Sequence, residues 1–184
     1  NCGGGIYLSD SSTLIKNVTI SYSNAYNGGG VYLYHSNPEM INVDIHHNEA
    51  HKGGGMYLQH SDPDLRSVTV AYNESSEGAG LRLGNSDPTL LDVFISRNTA
   101  FNDGGGMYAS WSNPTITASV FEGNETGENG GGLLLQESGP VLSDVVFSDN
   151  EASFGGAIYT HDNSHPKIYN ALIIGNTATQ EGGG

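Results

Sequence analysis

Apolar and polar residues alternate along this chain in short bursts, and each burst follows a run of small residues, mostly glycine. Ile6-Tyr7-Leu8, Val31-Tyr32-Leu33, Met56-Tyr57-Leu58, Leu81-Arg82-Leu83, Met107-Tyr108-Ala109, Leu133-Leu134-Leu135 and Ile158-Tyr159-Thr160 carry the pattern. A period of two predicts a strand, with its first and third residues turned inward and the middle one outward. Further along each unit stands an inward apolar position (Ile15, Met40, Leu65, Leu90, Ile116, Leu142, Ile168). A second alternating stretch follows, such as Val43-Asp44-Ile45 or Val93-Phe94-Ile95. Helix is disfavoured, because no segment sustains a 3.6-residue period without meeting glycine or proline.

The bursts recur at a fixed interval. Glycine-rich triplets begin at residues 3, 28, 53, 78, 104, 130, 155 and 182, in steps of 25 to 27. An asparagine follows in every unit: Asn24, Asn48, Asn73, Asn98, Asn124, Asn150 and Asn176. A Ser-x-Pro corner recurs from Ser36-Asn37-Pro38 to Ser164-His165-Pro166, with Ser11-Ser12-Thr13 in its place in the first unit. Seven units, each of two or three short strands, predict an all-β fold: one parallel β-helix (solenoid) domain over 1–184 without evident caps.

Such a coil places equivalent residues above one another about 4.8 Å apart, so seven coils make a rod of roughly 34 Å. Glycine then marks tight turns or backbone packed too closely for a Cβ. Proline fixes φ at a corner. The repeated asparagine is expected to turn inward at a bend, bonding backbone and the next asparagine in a ladder.

Composition narrows the function. Twenty Asp and Glu oppose six Lys and Arg, for a formal net charge of −14. That excess repels phosphate backbones and acidic polysaccharides and argues against nucleic-acid binding. No apolar run approaches the roughly 18–20 residues of a membrane-spanning helix, and no leader-like segment opens the sequence, so neither a span nor a signal peptide is expected. A single cysteine, Cys2, rules out an intrachain disulfide and a cysteine-based zinc site.

The units resemble the right-handed parallel β-helix repeats of large bacterial surface and secreted proteins. FSDN at 147–150 with GGAI at 155–158, and FEGN at 121–124, are similar to the FxxN and GGAI tetrapeptides of chlamydial polymorphic outer-membrane proteins. The resemblance implies a right-handed coil, an extracellular or cell-surface setting, and adhesion or scaffolding as the role. It brings no catalytic residues.

Catalytic chemistry finds little support in the residues themselves. A polysaccharide lyase needs Lys or Arg to polarise a uronate, yet Lys16 and Arg66 share one repeat position with no cation in the coil between. A hydrolase needs neighbouring carboxylates, but in the column Asn17, Asn42, Ser67, Asp92, Ala118, Asp144, Asn170 the two Asp stand two rungs apart, about 10 Å. Calcium is possible through corner acids Asp62, Asp64, Asp87, Asp92, Asp103 and Asp144, although a solvated acidic surface accounts for them more simply. His35 and His60 on neighbouring coils, with Asp62 and Asp87, are weak candidates for a metal; His46, His47 and His51 lie within six residues. No cofactor is required. The outward column Tyr7, Tyr32, Tyr57, Tyr108 and Tyr159 suits stacking on sugar rings or on itself. The sequence starts and stops in the same phase of the repeat, which suggests a longer array or end-to-end association into a fibre. The expected function is a non-enzymatic, extracellular or cell-surface structural or adhesive β-helix, with self-association and a glycan or cell-surface ligand as partners. The alternative is a carbohydrate-binding or carbohydrate-active module.

Overall fold

The computed structural model describes residues 1–182, so of the eighth glycine triplet only Gly182 is included. The chain winds through seven coils, and each coil contributes to three parallel sheets. The first sheet stacks Ile6–Ser9, Val31–Tyr34, Met56–Gln59, Leu81–Gly84, Met107–Ser110, Leu133–Gln136 and Ile158–His161 in chain order. The second begins with the eight-residue strands Leu14–Ser21, Glu39–His46 and Asp64–Ala71; from Thr89 onward each splits into two three-residue strands. The third runs from Asn24–Asn27 through Glu49–Lys52 and Glu74–Glu77 to Thr177–Glu181.

Registry between coils is direct: Val31 pairs with Met56, Met56 with Leu81, Leu81 with Met107 and Met107 with Leu133. Inward columns of the first two sheets meet in a single core along the axis. Phe121 and Phe147, both fully buried, stack face to face in it at 4.6 Å between centroids. Alternation predicts these inward positions because each strand has only two sides, and one of them faces the axial core.

Four bends per coil close the loop, and each has a residue in the left-handed region. One bend is the first glycine of each triplet, as at Gly28 with φ +60°. The other three fall on columns headed by Asp10, Asn17 and Tyr22, with φ of 50°, 56° and 54°. Side chains as large as His47, Tyr72 and Trp111 accept that conformation (φ 53°, 54° and 53°), although it disfavours a Cβ. Within the triplet the constraint is spatial instead: a Cβ on Gly106 would fall 2.4 Å from the carbonyl oxygen of Gly132 on the next coil.

Three hydrogen-bond ladders tie the bends together. In the first, each asparagine Oδ1 accepts from both the backbone N–H and the Nδ2 of the preceding asparagine. Asn48 donates to Asn73 in this way (3.0 and 3.0 Å), Asn73 to Asn98 (2.9 and 3.0 Å), and so on to Asn176. The second Nδ2 hydrogen of Asn48 goes to the Ile20 carbonyl, and that of Asn98 to the Val70 carbonyl. Asn24 corrects the expected ladder. It sits two residues past the Tyr22 bend, exposed at the start of the third sheet, and Ser23 takes the ladder position by donating its N–H to Asn48 Oδ1 at 3.0 Å. The spacing already differed there, since Asn24 and Asn48 are 24 apart while rungs in that part of the chain are 25 apart.

The corner serines form the second ladder, from Ser36 N–H to Ser61 Oγ, Ser61 to Ser86 and Ser86 to Ser112, each at 3.0 Å. The third lies at the residue between serine and proline and runs in the opposite sense. Asp62 N–H donates to Asn37 Oδ1, Asp87 N–H to Asp62 Oδ1, and Asn113 N–H to Asp87 Oδ1. Proline suits the next position because only its carbonyl is needed, accepting from the following coil as Pro63 does from Thr89 N–H at 3.1 Å.

Candidate functional surface

The tyrosine column lies on the outer side of the first sheet, as alternation places it, but it is packed against itself. Tyr7 stacks on Tyr32 (5.5 Å, 15°), Tyr32 meets Tyr57 edge to face (5.3 Å, 70°), and the Tyr32 hydroxyl donates to Gln59 Oε1 at 2.6 Å. Arg82 interrupts the column with its guanidinium 3.7 Å from the Tyr108 ring centroid, and Leu134 interrupts it again. Tyr32 is consequently only 6% exposed and offers no free face to a sugar; Tyr57, Tyr108 and Tyr159 are half-buried, and Tyr7 alone is open, at 51%. Burial pushes the Tyr32 hydroxyl up to about 12, with Cys2 and the flanking tyrosines adding to the rise. Burial also raises that of Tyr108, against the opposing pull of Arg82. Outward alternation did not reveal this shielding, because it depends on the size of the neighbours above and below.

The weak metal candidates separate onto different contacts. His35 and His60 do stand on adjacent rungs, with rings stacked at 5.0 Å and 9°. Asp62 and Asp87 each give an oxygen to the corner ladder. Of the other acids proposed at corners, Asp64 and Asp103 lie in strands; Asp64 is held by Arg66, and Asp103 accepts from Asn129 Nδ2 at 2.8 Å. Asp92 accepts from Ser67 Oγ at 2.7 Å, and Asp144 from Asn170 Nδ2 at 3.3 Å. Among the described residues no three His, Cys, Asp or Glu side chains converge as a metal site would require.

The exposed aromatic surface lies elsewhere, along the bend before the third sheet and on that sheet's outer face. At the bend Tyr22 stacks on His47 (5.2 Å, 19°) and His47 on Tyr72 (5.2 Å, 12°); the Tyr72 hydroxyl accepts from Arg97 Nη1 at 2.5 Å. The next outward column holds Asn24, Glu49, Glu74, Thr99, Glu125 and Glu151, and the one beyond begins with Tyr26 and His51, 4.8 Å apart. Open grooves of about 600 Å³ and 240 Å³ lie on this face, and Glu49 lines both. These residues carry a signal in the sequence, a 25-residue recurrence of aromatic or histidine at 22, 47 and 72. It is weaker than the tyrosine column because Arg97 and Gly123 break it.

A coil with three parallel sheets, one axial core and bends sealed by side-chain ladders is a parallel β-solenoid. The model of the right handed beta helix region matches residues 1–101 and 59–183, so the chain belongs to that family, and its coil is right-handed. No curated protein matches it in sequence. No helix among the described residues is long and apolar enough to cross a membrane.

Proposed function

We propose that this chain is a non-enzymatic structural or adhesive β-helix acting outside the cell or at its surface. The observation that carries the proposal is the continuity of the ladders: every coil is bonded to the next at the bends, which makes a rigid rod displaying flat columns of side chains at a fixed pitch. The basic residues support it, since four of the six are engaged within the coil. Lys52 pairs with Glu77 at 3.3 Å, Arg66 with Asp64, Arg97 with Tyr72, and Arg82 lies beneath Tyr108. A lyase would need such a cation free to polarise its substrate. The similarity to chlamydial surface repeats is in keeping with the same role, and its FxxN tetrapeptides contribute Phe121 and Phe147 to the core and Asn124 and Asn150 to the ladder.

End-to-end association belongs to this reading. Particle size measured against dilution tests it, with dissociation expected on dilution and a concentration-independent monomer counting against it. The function itself is tested with beads carrying the chain, applied to fixed epithelial layers under washing, alongside assays of a polysaccharide panel for new reducing ends and unsaturated products. Retention without product formation is expected. Turnover of any polysaccharide would overturn the proposal in favour of a carbohydrate-active module.

A further inference from the structure

From the outer corner of the second coil we infer an open copper(II) site made by the imidazoles of His46 and His47; it stands apart from the adhesive reading. His46 ends the strand Glu39–His46, and His47 is the bend that follows, with φ 53°. An extended residue followed by a left-handed one leaves both rings on the outside of the coil, His46 half-buried and His47 exposed. Their two Nδ1 atoms stand 2.9 Å apart. Both rings are held. His47 lies between the rings of Tyr22 and Tyr72, 5.2 Å from each and within 19° of parallel, and Tyr22 also meets the His46 ring edge-on at 6.0 Å. On the other side of the His46 ring, the Asp44 carboxylate is 3.8 Å from Nε2.

Each feature selects the ligand. A carboxylate beside Nε2 keeps the His46 proton on that nitrogen and leaves Nδ1 with its lone pair, which is how an outer carboxylate orients histidine towards a metal. Without an ion, His47 Nδ1–H donates to His46 Nδ1. With one, the His47 proton moves to its own Nε2 and both Nδ1 lone pairs turn to the cation, so no proton is lost. The separation then chooses among ions. Two bonds of about 2.0 Å that span 2.9 Å meet at about 93°, whereas a tetrahedral angle needs about 3.3 Å. A right angle is the cis angle of tetragonal copper(II) or nickel(II), and copper(II) binds imidazole nitrogen the more tightly. The pair stops short of the three convergent groups of a closed site among the described residues, so water takes the remaining positions. A net charge of −14 adds a general attraction for cations.

The neighbouring coils supply variants that the backbone already holds. Ser21 pairs with His46 in register, and Tyr22 and Tyr72 share the left-handed position of His47, so His46→Ser and His47→Tyr keep the fold. The test is titration of the chain with copper(II) at near-neutral pH, followed by electron paramagnetic resonance and electron spin echo modulation. A Cys2→Ser background removes the exposed thiol that would reduce the ion. One copper per chain with two equatorial imidazoles is expected. His46→Ser and His47→Tyr should each bind at least about tenfold more weakly and show a single imidazole, with circular dichroism unchanged; Asp44→Asn should bind about three- to tenfold more weakly and keep both imidazoles. Replacing His35 and His60, stacked 5.0 Å apart at another bend, by asparagine should leave the affinity as it was. Absence of binding overturns the inference. So do unchanged affinity in His46→Ser or His47→Tyr, a one-imidazole signature in the parent chain, and zinc(II) bound as tightly as copper(II). Each of these failures leaves the adhesive reading, tested by bead retention, where it was.

Discussion

Replacing Asn98 by alanine separates the ladder from its sequence pattern. Asn98 is fully buried, and its Oδ1 accepts from Asn73 N–H at 2.9 Å and from Asn73 Nδ2 at 3.0 Å. Its own Nδ2 serves the Val70 carbonyl at 2.9 Å and Asn124 Oδ1 at 3.0 Å. Asn98→Ala leaves two buried donors of Asn73 without that acceptor, and each unpaired buried group costs about 1–3 kcal/mol, for a loss of roughly 2–6 kcal/mol. With a urea slope of about 2 kcal/mol/M, the midpoint should fall by roughly 1–3 M, followed by far-ultraviolet circular dichroism. Asn24→Ala is the matched control. Asn24 is exposed at the start of the third sheet, so its removal should change stability by no more than about 0.5 kcal/mol. Similar midpoint shifts for the two variants, or no shift for Asn98→Ala, would refute the account of the bends.

Three further outcomes are expected. Gly106→Ala should unfold the coil locally and lower the melting temperature markedly, because its Cβ meets the Gly132 carbonyl at 2.4 Å; Gly84→Ala, whose nearest neighbour is 3.7 Å away, should be neutral or slightly stabilising in the same melts. Phe121→Ala removes one ring of the buried stack and should cost about 3–5 kcal/mol in urea titration, while Phe94→Ala, on the outer side at 37% exposure, should cost far less. Because the folded state holds the Tyr32 proton up to about 12, its contribution is full below the ordinary tyrosine value of about 10 and is lost as pH rises through 12. Tyr32→Phe should therefore flatten the fall in melting temperature between about pH 10 and 12, and an unchanged slope would assign that fall to other groups.

The repeat itself was legible in the residues. Period-two bursts, glycine triplets and the Ser-x-Pro corner are local requirements of strand, tight approach and bend, so seven rungs, an inward core and most of the asparagine ladder could be read without coordinates. Asn24 shows where that reading stops: identity and approximate spacing placed it in the ladder, and only registry against Asn48 showed that Ser23 holds the position.

What a column does on the outside was decided by the tertiary structure. Alternation tells that Tyr32 points outward but not that Tyr7, Tyr57 and Gln59 close over it, because exposure depends on the residues one rung above and below, 25 positions away in the chain. Conversely Tyr22, His47 and Tyr72 stand 25 residues apart in the chain, and only winding lays their rings one on another. The chain determines its own pitch and its inner face by short-range rules; its outer face is a product of winding, since neighbours there are set by the length of a full turn and not by adjacency.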